Sequence, residues 1–396
     1  MIRMIGIFVK KLLVVLKDNV EFKNFVEYFH LVDTSKYEIY LTSPVAQDER
    51  FISDIALLNS GIKVIDIWDE NYILIADKIK YWLKRQLFYL KKSKISESCF
   101  QKFWLHLRVP VSVILTGKVR WPLELLAAAL IKIIPGVVYE YVDNLKYESK
   151  LPDDCLVETF DRILFMRPDS SINILFYNTF RTSEIEIVTF IRNYDTPALK
   201  GVFTINSNVT WVVSNKLKEA LVRIHDEKQY GLIEVVNKLQ KYKEIQSKSI
   251  LYCTSHPDFF PSEAVVLKNI ISHMASDCVF RIRLHPADRV ERYNVSKEYF
   301  LDSKEQYVEY KVDGGGVKFH SLGSIEVFKQ ELASYGILIT HSSTVVKDAF
   351  DVGIRELYFI VDVNDPYKYI FKREHIEILM EELSIKTLDF QGASVD

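Results

Sequence analysis

Short runs of β-branched and aromatic residues recur along this chain, and most are followed by a stretch of helical periodicity. Near residue 14 (LLVVL), 38–43 (YEIYLTS), 62–68 (IKVIDIW), 111–117 (VSVILTG), 136–144 (GVVYEYVDN) and 161–167 (DRILFMR) the residues suit a pleated, buried surface. Segments such as EFKNFVEYF and LELLAAALIKII lie between them. Strand–helix alternation demands crossover connections, and so a parallel sheet covered by helices. The pattern restarts at 248–256 (KSILYCTSH), with a helix at 261–274, a strand at 278–288, a strand at 335–344 and a last strand in ELYFIV. YVEYKV and VKFHSL flank Asp313-Gly314-Gly315-Gly316, which reads as a hairpin turn since no helix follows it.

Two such sets fit 396 residues, too many for one ordinary core. The expected architecture is α/β: two Rossmann-like, doubly wound domains facing each other across a cleft. Residues 1–214 form the first and 248–365 the second. Residues 215–247, rich in Lys and Glu, read as a helical connection, and 366–396 as a C-terminal helix that can pack back on the first domain.

A hydrophobic share of 48% with 26% charged residues is a globular balance, and a net charge of −2 excludes a dedicated nucleic-acid binder. The four cysteines lack the close spacing of a zinc or redox pair, so reduced thiols in a cytoplasmic protein are expected. The apolar N-terminus is interrupted by Lys10 and Lys11 and reads as a buried strand, not as a signal peptide. Residues 78–94 carry seven basic and no acidic side chains, interleaved with aromatics at helical spacing. That segment reads either as a surface helix with its apolar face in the core or as a peripheral contact with anionic lipid or a lipid-linked glycan.

Two loops at predicted strand ends can carry chemistry, since open α/β sheets bind ligands at that edge. In Arg283-Leu284-His285-Pro286-Ala287-Asp288, Pro286 keeps His285 extended at the loop mouth, where an imidazolium can donate to a phosphate. In Thr340-His341-Ser342-Ser343-Thr344 the hydroxyls precede a helix and can cap it or hold an anion. Each loop alone suits a capping role; together, in one Rossmann-like half, they point to a phosphate site.

Residues 248–360 resemble the CMP-using GT-B glycosyltransferases: bacterial sialyltransferases, polysialyltransferases and the related β-Kdo transferases. The likeness lies in His285-Pro286, in Ser342-Ser343-Thr344 and in the surrounding ILYCTSH, VLKNII and FRIRLHP. It implies a GT-B fold and transfer of a sialic-acid or Kdo-type sugar from a CMP donor to a bacterial surface glycan or glycolipid. No metal or other cofactor is implied: His285 and the Ser motif would offset the charge on the leaving phosphate. The implied general base is a carboxylate in an acidic-acidic-Gly motif. Its nearest match here is Asp143, with Glu140 three residues earlier, and Asn144 stands where Gly is expected. Period-2 alternation puts Glu140 and Asp143 on opposite faces, so one of them reaches the cleft. His256, at a third strand mouth, is a candidate for lining the nucleotide pocket, and Arg283 and Arg120 for pairing with a donor carboxylate. Rival readings are a GT-B enzyme with a UDP- or GDP-sugar or a CDP-alcohol, and a noncatalytic glycan- or lipid-binding protein of the same fold.

Overall fold

The computed structural model describes residues 9–78, 80–81, 84, 146–155, 158–168, 170, 172–181, 184–192, 206–224, 230–236, 245, 247–255, 263–274, 278–285, 288–301, 308–312, 315–341, 343, 345–362 and 379–390. Two parallel sheets organise them.

The first sheet has seven strands in the order β3-β2-β1-β4-β5-β6-β7. They are β1 (Lys10–Val15), β2 (Tyr37–Thr42), β3 (Lys63–Val64), β4 (Arg162–Phe165), β5 (Glu186–Ile191), β6 (Val209–Val212) and β7 (Leu232–Val235). Helix α1 (Asn19–Tyr28) follows β1, α2 (Glu49–Leu58) follows β2, α3 (Asn173–Phe180) follows β4 and α4 (Asn215–Ile224) follows β6. The sheet is buried on both faces, which explains runs such as LLVV with no polar alternation.

The second sheet runs β14-β13-β12-β8-β9, all parallel. Its strands are β8 (Ile250–Cys253), β9 (Phe280–Arg283), β12 (Ile337–Thr340), β13 (Glu356–Asp362) and β14 (Lys386–Phe390). Helix α5 (Glu263–Ser272) follows β8, α6 (Leu322–Leu332) precedes β12 and α7 (Val345–Asp351) follows it. An antiparallel hairpin, β10 (Val308–Val312) and β11 (Gly315–Phe319), closes at the Val312–Gly315 pair, at the expected turn. Two parallel sheets with helices between their strands are the α/β architecture expected from the sequence.

Two segments differ from expectation. The supposed helical connection 215–247 holds α4 and then β7, a seventh strand of the first sheet, parallel to β6. Gly231, just before β7, stands at φ +54, a left-handed backbone that glycine adopts freely, and Leu-Ile-Glu-Val then alternates in burial as a strand does. The C-terminal stretch is likewise not all helix: after residues 379–383, β14 pairs with β13, and Lys386 bonds Glu356 at 2.7 Å. Glu381 reaches Lys216 of α4 at 3.0 Å, a contact back to the first lobe.

The lobes meet along a seam between α1, α2 and β5 on one side and α6, α7 and the hairpin on the other. Lys23 pairs with Asp348 at 2.9 Å, and the nearly buried Arg192, just past β5, pairs with Glu27 at 3.2 Å and with Asp348. Phe51 packs edge-on against Phe319 and Tyr310, and the Tyr310 hydroxyl donates to Asp54 at 2.8 Å. Lys23 and Asp348 each lie one turn into helices that begin at a sheet's carboxyl edge. Both edges therefore open beside the same seam.

Candidate functional site: the carboxyl rim of the second sheet

The register of the second sheet sets Thr340, Cys253 and Arg283 side by side at the ends of β12, β8 and β9. The three loops that follow must share one rim. The Thr254 N–H continues the ladder to the Arg283 carbonyl at 3.0 Å, and the buried Thr254 hydroxyl accepts the His285 N–H at 2.7 Å. Asp288 N–H then donates to the His285 carbonyl at 2.8 Å, closing a turn that leaves the imidazole half-buried at the loop mouth. Two strands away, Ser343 Oγ accepts the Val345 N–H at 3.3 Å and so caps α7. Neighbouring strands are about 4.8 Å apart, which places the His285 and Ser343 loops on either side of β8 at a separation of about 10 Å. A group seated over the end of β8 lies within side-chain reach of both.

Beneath the rim is a buried carboxylate. Glu263, in the first turn of α5, has no solvent exposure. It accepts the Ser255 N–H at 3.0 and 3.1 Å and the Tyr252 hydroxyl at 3.1 Å. Its other neighbours are the Tyr293 hydroxyl at 3.3 Å, Arg292 Nη1 at 3.8 Å and the equally buried His341 Nε2 at 3.9 Å. Asp288 joins through Tyr293 and through Arg292 at 3.3 Å. Burial pushes the Glu263 carboxyl up to about 7, with Asp288 adding to it, while the Ser255 N–H, Tyr252 and Arg292 pull it down. Glu263 carried no signal in sequence beyond its place in a helix, and His341 stood only as part of a loop. A buried acid at a helix start looks like any first-turn acid until the strands are ordered.

Arg283, a candidate for pairing with a donor carboxylate, has an acidic partner within the fold. Its guanidinium pairs with Glu331 of α6 and lies 4.6 Å from the Phe328 ring centre. Glu140, Asp143, Arg120, His256, Pro286, Ser342 and Thr344 lie outside the described residues. Of segment 78–94, Lys80 bonds Asp77 and Glu148 at 3.0 and 2.9 Å, and Lys84 lies over the Tyr147 ring at 5.1 Å. Their charges are engaged within the fold at these positions. Asp77, buried, also accepts the N–H groups of Glu148 and Ser149 at 2.7 and 2.6 Å, which anchors the chain just after the Asp143 segment. Among the described residues no group of three His, Cys, Asp or Glu is placed to hold a metal, and no helix is long and apolar enough to cross a membrane.

No protein-family model and no curated protein sequence matches the chain. Solved structures of similar architecture include the spinosyn rhamnosyltransferase SpnG complexed with thymidine diphosphate (8% identity, 96% of this chain and 86% of that one, TM-score 0.44). Others are the glycosyltransferase SnogD from Streptomyces nogalater (9%, 96% and 86%, 0.41) and Arabidopsis thaliana UGT89C1 complexed with UDP (10%, 96% and 86%, 0.47). Likeness at this level carries neither a donor nor a reaction over to this chain.

Proposed function

We propose that the protein is a glycosyltransferase that holds the phosphate of a nucleotide-activated sugar over the end of β8, between His285 and Ser343, and passes the sugar to a glycan or glycolipid acceptor held by the first lobe. The observation that supports this reading is the shared rim: two loops far apart in sequence flank one strand end, with His285 fixed by Thr254. Cleavage of the sugar–phosphate bond builds negative charge on the leaving group. An imidazolium and a hydroxyl already in place can stabilise that charge without reorganising. The proton of the acceptor hydroxyl passes to a carboxylate of the first lobe, with Asp143 the first candidate and Glu140 the second.

The reading has a broad and a narrow form. The rim suits the phosphate of any nucleotide donor, UDP- and GDP-sugars included. The narrow form, a CMP-linked sialic-acid or Kdo-type sugar, rests on His285-Pro286 followed by Ser342-Ser343-Thr344. Thermal shift against CMP, CDP, UDP and GDP separates them. A nucleotide at one hundred times its Kd stabilises by about 2.7 kcal/mol, easily seen as a rise in Tm. Cytidine nucleotides alone raising Tm supports the narrow form, and uridine or guanosine nucleotides doing so replaces it. His285→Ala is expected to lower turnover about 10²–10³-fold, as loss of one charge-stabilising donor does elsewhere. Binding of no nucleotide at all, or full activity in His285→Ala, sinks the proposal.

A further inference from the structure

Three loops converge on the proposed phosphate site, and one side chain touches elements leading to all three. The Glu263 carboxylate takes the backbone N–H of Ser255 in the loop after β8. It meets Tyr293, Arg292 and, through them, Asp288 in the loop after β9. It lies 3.9 Å from His341, two residues before Ser343, in the loop after β12. Tyr252 closes the set from within β8.

The hydrogen-bond inventory of this cluster also calls for one more proton. A tyrosine hydroxyl has one hydrogen to give. That of Tyr293 lies within reach of two carboxylates, Asp288 at the shorter distance and Glu263 at 3.3 Å. If the hydroxyl donates to Asp288, the contact with Glu263 is a hydrogen bond only when Glu263 supplies the hydrogen. The Ser255 N–H and the Tyr252 hydroxyl still donate to the carboxyl oxygens. A proton on one of the two carboxyls satisfies every contact, and it belongs on Glu263, because Arg292 lies closer to Asp288 (3.3 Å) than to Glu263 (3.8 Å) and keeps Asp288 ionised.

We propose that Glu263 is the positioning residue of the phosphate rim: a buried carboxyl, protonated when nucleotide is bound, that holds the loops carrying Thr254, His285 and Ser343 in register. Phosphate seated over β8 adds negative charge above Glu263 and favours its neutral form, so nucleotide binding draws in a proton. The groups facing the carboxyl are Tyr252, Tyr293, Asp288, Arg292 and His341. Among these described groups Arg292 carries the fixed positive charge, and Asp288 shares it.

This inference rests on the nucleotide reading above, and calorimetry with the best nucleotide from the thermal screen tests it. Titrations at pH 8 in buffers of different ionisation enthalpy count the protons taken up. Protons taken up by other groups of the site are common to both proteins, so the informative comparison is with Glu263→Gln, which keeps His285 and nearly the same shape. Wild type is expected to take up more protons than Glu263→Gln, whose amide copies the neutral carboxyl and should bind nucleotide at least as tightly at pH 8. Amide exchange in the nucleotide-free protein gives a second readout: Glu263→Ala should quicken exchange at Thr254, His285 and Ser343 together, and Glu263→Gln should not. Equal proton counts in wild type and Glu263→Gln, or faster exchange in Glu263→Ala confined to α5, overturns the positioning role and leaves the nucleotide reading intact. Wild type that binds no nucleotide overturns both.

Discussion

The two sheets begin alike. In each lobe a central strand runs into a helix whose first turn holds a buried glutamate: Glu21 in α1 after β1, and Glu263 in α5 after β8. Each carboxylate accepts a backbone N–H from the strand-end loop, Lys17 at 2.6 Å for Glu21 and Ser255 at 3.0 Å for Glu263. Burial raises both carboxyls above their usual range. The surroundings then diverge. Around Glu263 both oxygens meet donors, and the network reaches three loops. Glu21 Oε1 is buried without a hydrogen bond among the described residues, and its neighbours are an acid, Asp18, and Arg167, which bonds Asp18 at 2.9 Å. The same position serves as a local cap in one lobe and as the hub of a rim in the other. A repeated fold thus does not repeat a role, because role depends on which loops the carboxylate can reach.

The largest effect should come from emptying the hub. Glu263→Ala removes the acceptor for the Ser255 N–H and the Tyr252 hydroxyl and leaves a void, which costs about 3–5 kcal/mol. Urea unfolding followed by fluorescence measures it. A loss under 1 kcal/mol would mean that water replaces the carboxylate, and the contrast with Glu21 would disappear.

Next comes the pH dependence. Glu263 titrates at about 7 when folded and near the ordinary glutamate value when unfolded. The folded state therefore holds the extra proton, and stability falls as pH rises between those values. Its full contribution is present below the unfolded pKa and is gone above about 7. Glu263→Gln does not titrate, so the wild type should lose up to about 3 kcal/mol relative to it between pH 4.5 and 7. Melting curves across that range test the sign. A wild type that gains on the variant as pH rises would show Glu263 to be held ionised, by Arg292 or by a charged His341.

Much of the frame was legible because buried parallel strands have little freedom of composition. β1, β2, β4, β8, β9 and β12 lie in the runs that β-branched residues mark, and the hairpin lies at its glycines. Strand β7 was hidden because Leu-Ile-Glu-Val sits in a Lys- and Glu-rich stretch whose helical periodicity is genuine up to Ile224, and the left-handed Gly231 that precedes the strand is a weak signal in sequence. β14 was hidden for a similar reason, as a short edge strand behind a helix. At the rim, His285 and Ser343 stood out through their flanking residues. Glu263, His341 and Arg192 did not, because their meaning comes from the strand order β12-β8-β9 and from the seam, both made by contacts distant in sequence.

The smallest effect should be at the first lobe's glutamate, and it sharpens the comparison most. Glu21→Gln keeps an oxygen for the Lys17 N–H and replaces an oxygen that has no donor. It removes the penalty that burial and Asp18 impose on this carboxyl and adds the cost of a buried amide hydrogen seeking an acceptor. The two are of similar size and opposite sign, so the net change should stay within about 1 kcal/mol at pH 7. Nucleotide affinity and the proton count on binding should be unchanged, because the described contacts of Glu21, with Lys17, Asp18 and Arg167, all lie in the first lobe. Unfolding and calorimetry on Glu21→Gln beside Glu263→Gln make the test. Equal changes in the two variants, in stability and in proton count, would mean that both lobes use their buried glutamate in the same way.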